Sequence, residues 1–131
     1  EIARKIQVAV SKRMEPLGIT FAQYRVVSRL WLEEEMTQKA LGDMLTLTAA
    51  TLTPMLQLME RKGWILRTTD EQDTRSKKIR LTAEGVEIRH QAFEVVMAYE
   101  REALGVLPEE EARLMLKWLR LINAHLISPI D

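Results

Sequence analysis

The sequence predicts a mainly α domain built around a helix, a tight turn, a second helix and a two-stranded ribbon. Three observations carry this. Apolar residues recur at three- and four-residue steps through most of the chain, whereas alternating stretches are few. Within residues 36–85, two hydroxyl residues suited to helix capping, Thr37 and Thr48, each precede an apolar-periodic run. Two short β-prone segments, 64–69 and 77–82, follow at once and flank the polar turn DEQDTRS.

The elements follow in order. Ile2, Ile6, Val10, Met14 and Leu17 form a helical stripe that ends near Gly18. Thr20 and Gln23 make a capping-box pair that starts a second helix, in which Phe21, Tyr24, Val27 and Trp31 repeat until the acidic run 33–35 stops it. Thr37 caps a short helix over 38–44 that keeps Ala40, Leu41 and Leu45 at core spacing. Thr48 caps the next helix, 49–62, which stops at Gly63. Leu52, Leu56 and Met59 share its core stripe, while Ala50, Thr51, Thr53, Pro54 and Gln57 fall away from it. In the ribbon, Ile79 and Leu81 alternate with Lys78 and Arg80. Thr82 caps a long helix over 83–107 that is apolar on more than one face, through Ile88, Ala92, Val95, Tyr99 and Ala103 and through Phe93, Val96 and Leu104. Pro108, followed by three glutamates, starts the last helix, which carries Met115, Trp118, Leu119, Ile122 and Leu126.

A chain of 131 residues is expected to form a single domain, 1–131, with the helix-turn-helix lobe at 34–85 and the flanking helices at 1–33 and 86–131. The flanking helices carry more apolar surface than one small lobe covers. A symmetric homodimer through the first and last helices would bury it; the alternative is a monomer whose terminal helices cover the core. The chain has no Cys, which excludes disulfides and thiolate metal sites within it. No apolar run reaches membrane-spanning length and no secretory signal opens the chain, so no membrane partner and a cytoplasmic location are the expectation.

Two local features point to nucleic acid. A helix start of small and hydroxyl residues suits close approach to base edges in a major groove better than it suits a solvated surface. From Arg61 to Arg80 there are seven Lys or Arg and three acids, a local charge of +4 in a chain whose formal net charge is zero.

The stretch resembles the winged helix-turn-helix of the MarR family of bacterial transcription regulators. The resemblance rests on T-A-A-T-L-T-P-M-L in the recognition helix, M-E-R-K-G-W-I at its exit, Asp70, Asp73 and Arg75 in the turn, and the closing L-T-A-E-G. These spaced elements agree in order, and the weaker flanks extend the likeness over nearly the whole chain. The T-L-T-P-M-L wording is similar to the organic-peroxide-sensing branch, whose sensing Cys would fall about one helical turn before Glu1. The resemblance implies a winged helix-turn-helix fold with dimerisation helices at both ends. It also implies a homodimeric repressor on a palindromic double-stranded DNA operator, released by a small-molecule effector.

The residues implied in DNA binding are Gln38, Lys39, Thr48, Ala50, Thr51, Thr53, Pro54, Gln57, Asp73, Arg75, Lys77 and Lys78. Many family members carry Arg where this chain has Pro54, which moves base reading to Thr51, Thr53 and Gln57. Pro54 also removes one helical hydrogen bond, so a local bend is expected. Gln57 suits adenine, and the threonines suit phosphates or a thymine methyl. By resemblance Arg75 enters the minor groove with Asp73 restraining the turn, and a planar cation fits the potential of a narrow groove. Lys77, Lys78 and Arg80 read equally as phosphate contacts or as solubilising charge. Phe21, Tyr24, Arg25 and Trp31 lie where the family's pocket wall would be. Tyr24 and Arg25 there suit a phenolic or carboxylate ligand; the plainer reading is aromatic core.

His90, His125 and the glutamates 109–111 lack metal-ligand spacing, so no metal or other cofactor is expected. No nucleophile, base and oxyanion set is visible, so the chain is not expected to be an enzyme. The rival of another class is a winged-helix module that binds protein and no DNA, which a wing without cations would have favoured.

Overall fold

The computed structural model describes residues 1–69, 71–72 and 77–127. By its internal contacts the chain divides into two compact units, Glu1–Val96 and Met97–Asp131. The described elements are α1 (Ile2–Met14), a 3-10 turn (Glu15–Leu17), α2 (Phe21–Glu33), β1 (Glu35–Thr37), α3 (Gln38–Leu45), α4 (Ala49–Arg61), β2 (Ile65–Thr69), β3 (Lys77–Leu81), α5 (Ala83–Leu104) and α6 (Glu109–Ile127). The mainly α class and the winged helix-turn-helix arrangement follow the sequence expectation.

The first unit is organised by caps and one core. Thr20 accepts from the backbone N–H of Gln23 while the Gln23 amide oxygen accepts from that of Thr20, so α2 starts on the expected capping box. This reciprocal pairing explains why Gln23, a polar residue, is buried. Thr37 caps α3 and Thr48 caps α4, each hydroxyl accepting a backbone N–H three residues on. Leu52, Leu56 and Met59 from α4 are buried, as are Val26, Val27 and Leu30 from α2, Leu41 and Leu45 from α3, and Ile79 from β3.

Three expectations are corrected here. The ribbon has a third strand: β1 pairs antiparallel with β3, placing Met36 opposite Ile79, and the order is β1-β3-β2. The expected two-stranded wing omitted it because three residues with an acid at one end carry no readable alternation. The inner stripe of α2 is Val26, Val27 and Leu30, whereas Trp31 is 43% exposed. Within α3, Ala40 faces solvent and Gly42 is buried instead. A Cβ on Gly42 would sit 3.0 Å from the Leu47 carbonyl oxygen, so the turn between the two motif helices closes onto a bare backbone. That turn passes through Thr46 at φ 57°, a left-handed conformation unusual for a β-branched residue. The Leu47 N–H bond to the Gly42 carbonyl, at 2.8 Å, accompanies it.

The exit of α4 is equally specified. Gly63 adopts φ 78°, the Trp64 N–H returns to the Met59 carbonyl, and the Gly63 N–H returns to the Glu60 carbonyl. Thr82 then joins the wing to α5: its hydroxyl donates to the Gly63 carbonyl and accepts from the Gly85 N–H, and its own N–H donates to the Trp64 carbonyl.

In the second unit, α6 starts one residue after Pro108, whose carbonyl accepts the first helical bond from Ala112, rather than on Pro108 itself. Its acidic first turn complements the positive end of the helix dipole. Leu114, Met115, Trp118, Leu119, Leu121 and Ile122 are all exposed on this helix. No helix among the described residues is long and apolar enough to cross a membrane.

Candidate nucleic-acid interface

The outer face of α4 is what the sequence led one to expect. Ala50, Thr51, Pro54 and Gln57 are exposed, and Thr53 is half-buried. The first turn carries neither Lys nor Glu, so nothing longer than a hydroxyl stands off the start of this face. The helix runs unbroken through Pro54. Proline has no N–H to offer the Ala50 carbonyl, so that oxygen is left without its helical partner on an exposed stretch.

Hydrogen bonds decide which of these side chains are free. Thr48 is committed twice, accepting from the Thr51 N–H and donating to the Thr51 hydroxyl at 3.2 Å. The Gln38 amide donates to the Thr53 hydroxyl at 2.8 Å and so ties the start of α3 to the middle of α4. Thr53 keeps its hydroxyl proton and its methyl for other contacts. Gln57 makes no side-chain hydrogen bond among the described residues, which leaves both ends of its amide available. Gln38, Lys39 and Thr48 line a groove of about 410 Å³ between the starts of α3 and α4, with Asp43, Leu47 and Ala49.

The positive charge of the segment 61–80 is unevenly available. Arg67 donates to the Glu60 carboxylate at 2.6 Å and is mostly buried, so it braces β2 against α4. Lys62 donates to the Gly18 carbonyl at 2.8 Å. Lys78 lies 3.3 Å from the Glu35 carboxylate on the neighbouring strand. Arg61, Lys77 and Arg80 are exposed and carry no ion-pair partner among the described residues. The two neighbouring lysines thus differ in setting: Lys77 is exposed, whereas Lys78 is half-buried beside the Glu35 carboxylate. Asp70, Asp73 and Arg75 lie outside the described residues.

The residues suggested for an effector pocket are all on α2 but have different neighbours. Arg25 donates to the Leu45 carbonyl at the end of α3, at 3.1 Å. Phe21 and Tyr24 have ring centroids 6.3 Å apart. Trp31 meets α5, with the Arg89 guanidinium 4.1 Å from its ring centroid and His90 edge-on at 6.2 Å. Among the described residues no three metal-ligating side chains gather.

Three contributors escaped sequence reasoning: Glu35 as the partner of Lys78, Glu60 as the partner of Arg67, and Gly42 as the floor of the turn. Glu60 and Arg67 are seven residues apart, a spacing that pairs no element with itself. Only the reversal at Gly63 brings them together.

Comparison with known proteins agrees with this geometry. The sequence profile of the MarR family matches residues 19–77. The chain is 40% identical over 82 residues to the organic hydroperoxide resistance transcriptional regulator of Bacillus subtilis, a match covering 63% of the chain and 56% of that regulator. It is 30% identical over 102 residues to the HTH-type transcriptional regulator SarZ of Staphylococcus epidermidis, covering 78% of the chain and 68% of that protein. Among solved structures it is similar to Escherichia coli MarR. The apo form gives a TM-score of 0.86 at 25% identity, covering 92% of this chain and 90% of that one. A mutant of that protein complexed with operator DNA gives 0.77, covering 92% and 87%.

Proposed function

The chain belongs to the MarR family, whose members named above are transcriptional regulators rather than enzymes, and on that premise we propose that it binds a palindromic double-stranded DNA operator as a homodimer and represses transcription until an effector releases it. The observation that carries this reading is the exposed face of α4, built of Ala50, Thr51, Pro54 and Gln57 and flanked by the exposed cations Arg61 and Lys77, which have no ion-pair partner among the described residues. Short side chains let the helix enter the major groove, and the cations meet the phosphates on its rim. The match to an operator-bound relative supports the DNA partner. A homodimer would present two α4 helices to the two half-sites.

Within this reading Gln57 reads a base, Thr51 and Thr53 contact phosphate or a thymine methyl, and Gln38, Lys39 and Lys77 hold the backbone. Arg75 enters the minor groove, with Asp73 steadying the turn. Thr48, Ala50 and Pro54 shape the close approach, and Lys78 adds a weaker phosphate contact. An effector with a phenol or carboxylate would engage Phe21, Tyr24, Arg25 and Trp31. A carboxylate that captures Arg25 takes it from the Leu45 carbonyl and so loosens the end of α3 next to the recognition helix. To act, it must bind the released arrangement more tightly than the operator-bound one.

The experiment is a titration against an operator selected from a random duplex pool and against a scrambled duplex, at several salt concentrations. Gln57→Ala is expected to relax preference at one operator position by about 1–3 kcal/mol; an unchanged profile across single-base variants removes Gln57 from base reading. Arg75→Ala is expected to weaken operator binding without loss of folding, and Arg75→Lys to restore part of it, since an ammonium keeps charge but not the planar fork. Lys77→Ala should lower the salt slope by about one unit, and Lys78→Ala by less because Glu35 already answers its charge. Equal affinity of the parent for operator-pool and scrambled duplexes would overturn the reading.

A further inference from the structure

Lys62 lies inside the basic segment, yet its ammonium does not point outward as a free charge. It donates to the Gly18 carbonyl at 2.8 Å and sits 4.6 Å from the centroid of the Trp64 ring. Both contacts hold the exposed ammonium against the protein: a carbonyl takes one N–H, and the ring's negative face lies beside the charge, while its other N–H groups stay open to solvent. The two ends of this link are themselves fixed. Gly18 closes the 3-10 turn at φ 73°, with its N–H on the Glu15 carbonyl. It lies between the buried Met14 of α1 and the capping box of α2. Lys62 is the last helical turn's cap on α4, its N–H on the Leu58 carbonyl, and the following residues return to Met59 and Glu60. The Lys62 side chain therefore links the hydrogen-bonded corner between α1 and α2 to the hydrogen-bonded exit of α4.

We propose that Lys62 is a positioning residue for operator recognition, holding the C-terminal end of α4 to the α1–α2 corner through Gly18 and Trp64, and not a phosphate contact. The proposal rests on α4 being the recognition helix. With its far end pinned, α4 presents Thr51, Thr53 and Gln57 at one fixed tilt. Without the pin the same side chains remain but their angle to the groove is no longer held, and a small angular error at the pin displaces the reading end most. The expected signature differs from that of Arg61 or Lys77, because an ammonium held by Gly18 and Trp64 reaches no phosphate and so releases no counterion.

The test uses the full chain as Lys62→Met and Lys62→Arg, titrated against the selected operator and a scrambled duplex at several salt concentrations, with thermal melting alongside. Methionine keeps the stem over Trp64 and removes the donor. Lys62→Met is expected to lose about tenfold in operator affinity, the scale of one hydrogen bond to a charged donor. Scrambled-duplex affinity and the salt slope should stay at parental values. Lys62→Arg, which still offers a donor and a cation, should recover most of the loss. A salt slope lower by about one unit would make Lys62 a phosphate contact and overturn the proposal. So would unchanged operator affinity, or a lowered melting temperature with parental binding by the folded protein. A parent that fails to distinguish operator from scrambled duplex sinks the DNA-binding reading itself, a different result from any of these.

Discussion

A chain carrying Trp118→Asp together with Ile122→Asp is expected to sediment as a folded monomer and to lose high-affinity operator binding. Both side chains lie on α6, one helical turn apart, and are 56% and 55% exposed in the single chain. Replacing these residues leaves no cavity within the chain, so each chain should keep its melting behaviour apart from losses due to dissociation. And six large apolar residues exposed on one helix, with Ile2, Ile6 and Val8 exposed on α1, exceed what a solvated surface ordinarily shows. If a symmetric partner covers them, four aspartates per dimer replace four buried side chains. Each is worth about 1.5–3 kcal/mol of burial before the charge is counted. The dimer should therefore weaken by on the order of a thousandfold or more. Operator affinity falls with it because a monomer meets one half-site. Sedimentation equilibrium over a concentration series reads the first effect and duplex titration the second. A parent that is monomeric at all concentrations, or a double variant that remains dimeric, would remove the dimer from the proposed function.

Gly85→Ala is expected to be strongly destabilising although it adds a single methyl group. An added Cβ would fall on the Trp64 carbonyl oxygen and press on the Leu81 side chain. The obstacle is backbone, and it is not free to shift: the same carbonyl accepts the Thr82 N–H at 3.0 Å, and the Thr82 hydroxyl bonds Gly63 and caps the first turn of α5 through Gly85. Relieving the clash therefore breaks the joint between the exit of α4 and the start of α5. The expected cost is about 3 kcal/mol, at the upper end for overpacking, and a fall in Tm on the order of 10 °C. Thermal melting at fixed protein concentration measures it. A Tm close to the parent's would mean that α5 enters the lobe less tightly than this geometry requires. Because the same joint sets where α4 ends, operator binding by the remaining folded fraction should suffer as well.

These two sites differ in how visible they were beforehand. The apolar stripe of α6 was readable from residue spacing, since Met115, Trp118, Leu119 and Ile122 recur at three- and four-residue steps. The tightness at Gly85 was not. It sits in the L-T-A-E-G string that carried part of the family resemblance, but no local rule says that a glycine in a first helical turn lies against a carbonyl twenty-one residues earlier. The outer face of α4 was legible because capping and periodicity act within one helix, so Thr48, Leu52, Leu56 and Met59 set which residues face out. Met36 illustrates the opposite case. Its segment has no strand pattern of its own and becomes one only because β3 offers it an unpaired edge.

What the sequence by itself determined is therefore what neighbours along the chain determine: the helix starts at Thr20, Thr37 and Thr48, the stop at Gly63, and the exposed small-residue face of α4. What only the tertiary structure decided is the assignment of partners across the chain. Seven cations in 61–80 look alike in composition. The fold gives Arg67 to Glu60, Lys62 to Gly18 and Lys78 to Glu35, and leaves Arg61, Lys77 and Arg80 without an ion-pair partner among the described residues. The physical reason is range. Capping and helical periodicity act over three or four residues, whereas an ion pair or a hydrogen bond acts over about 3 Å of space between residues any distance apart in sequence.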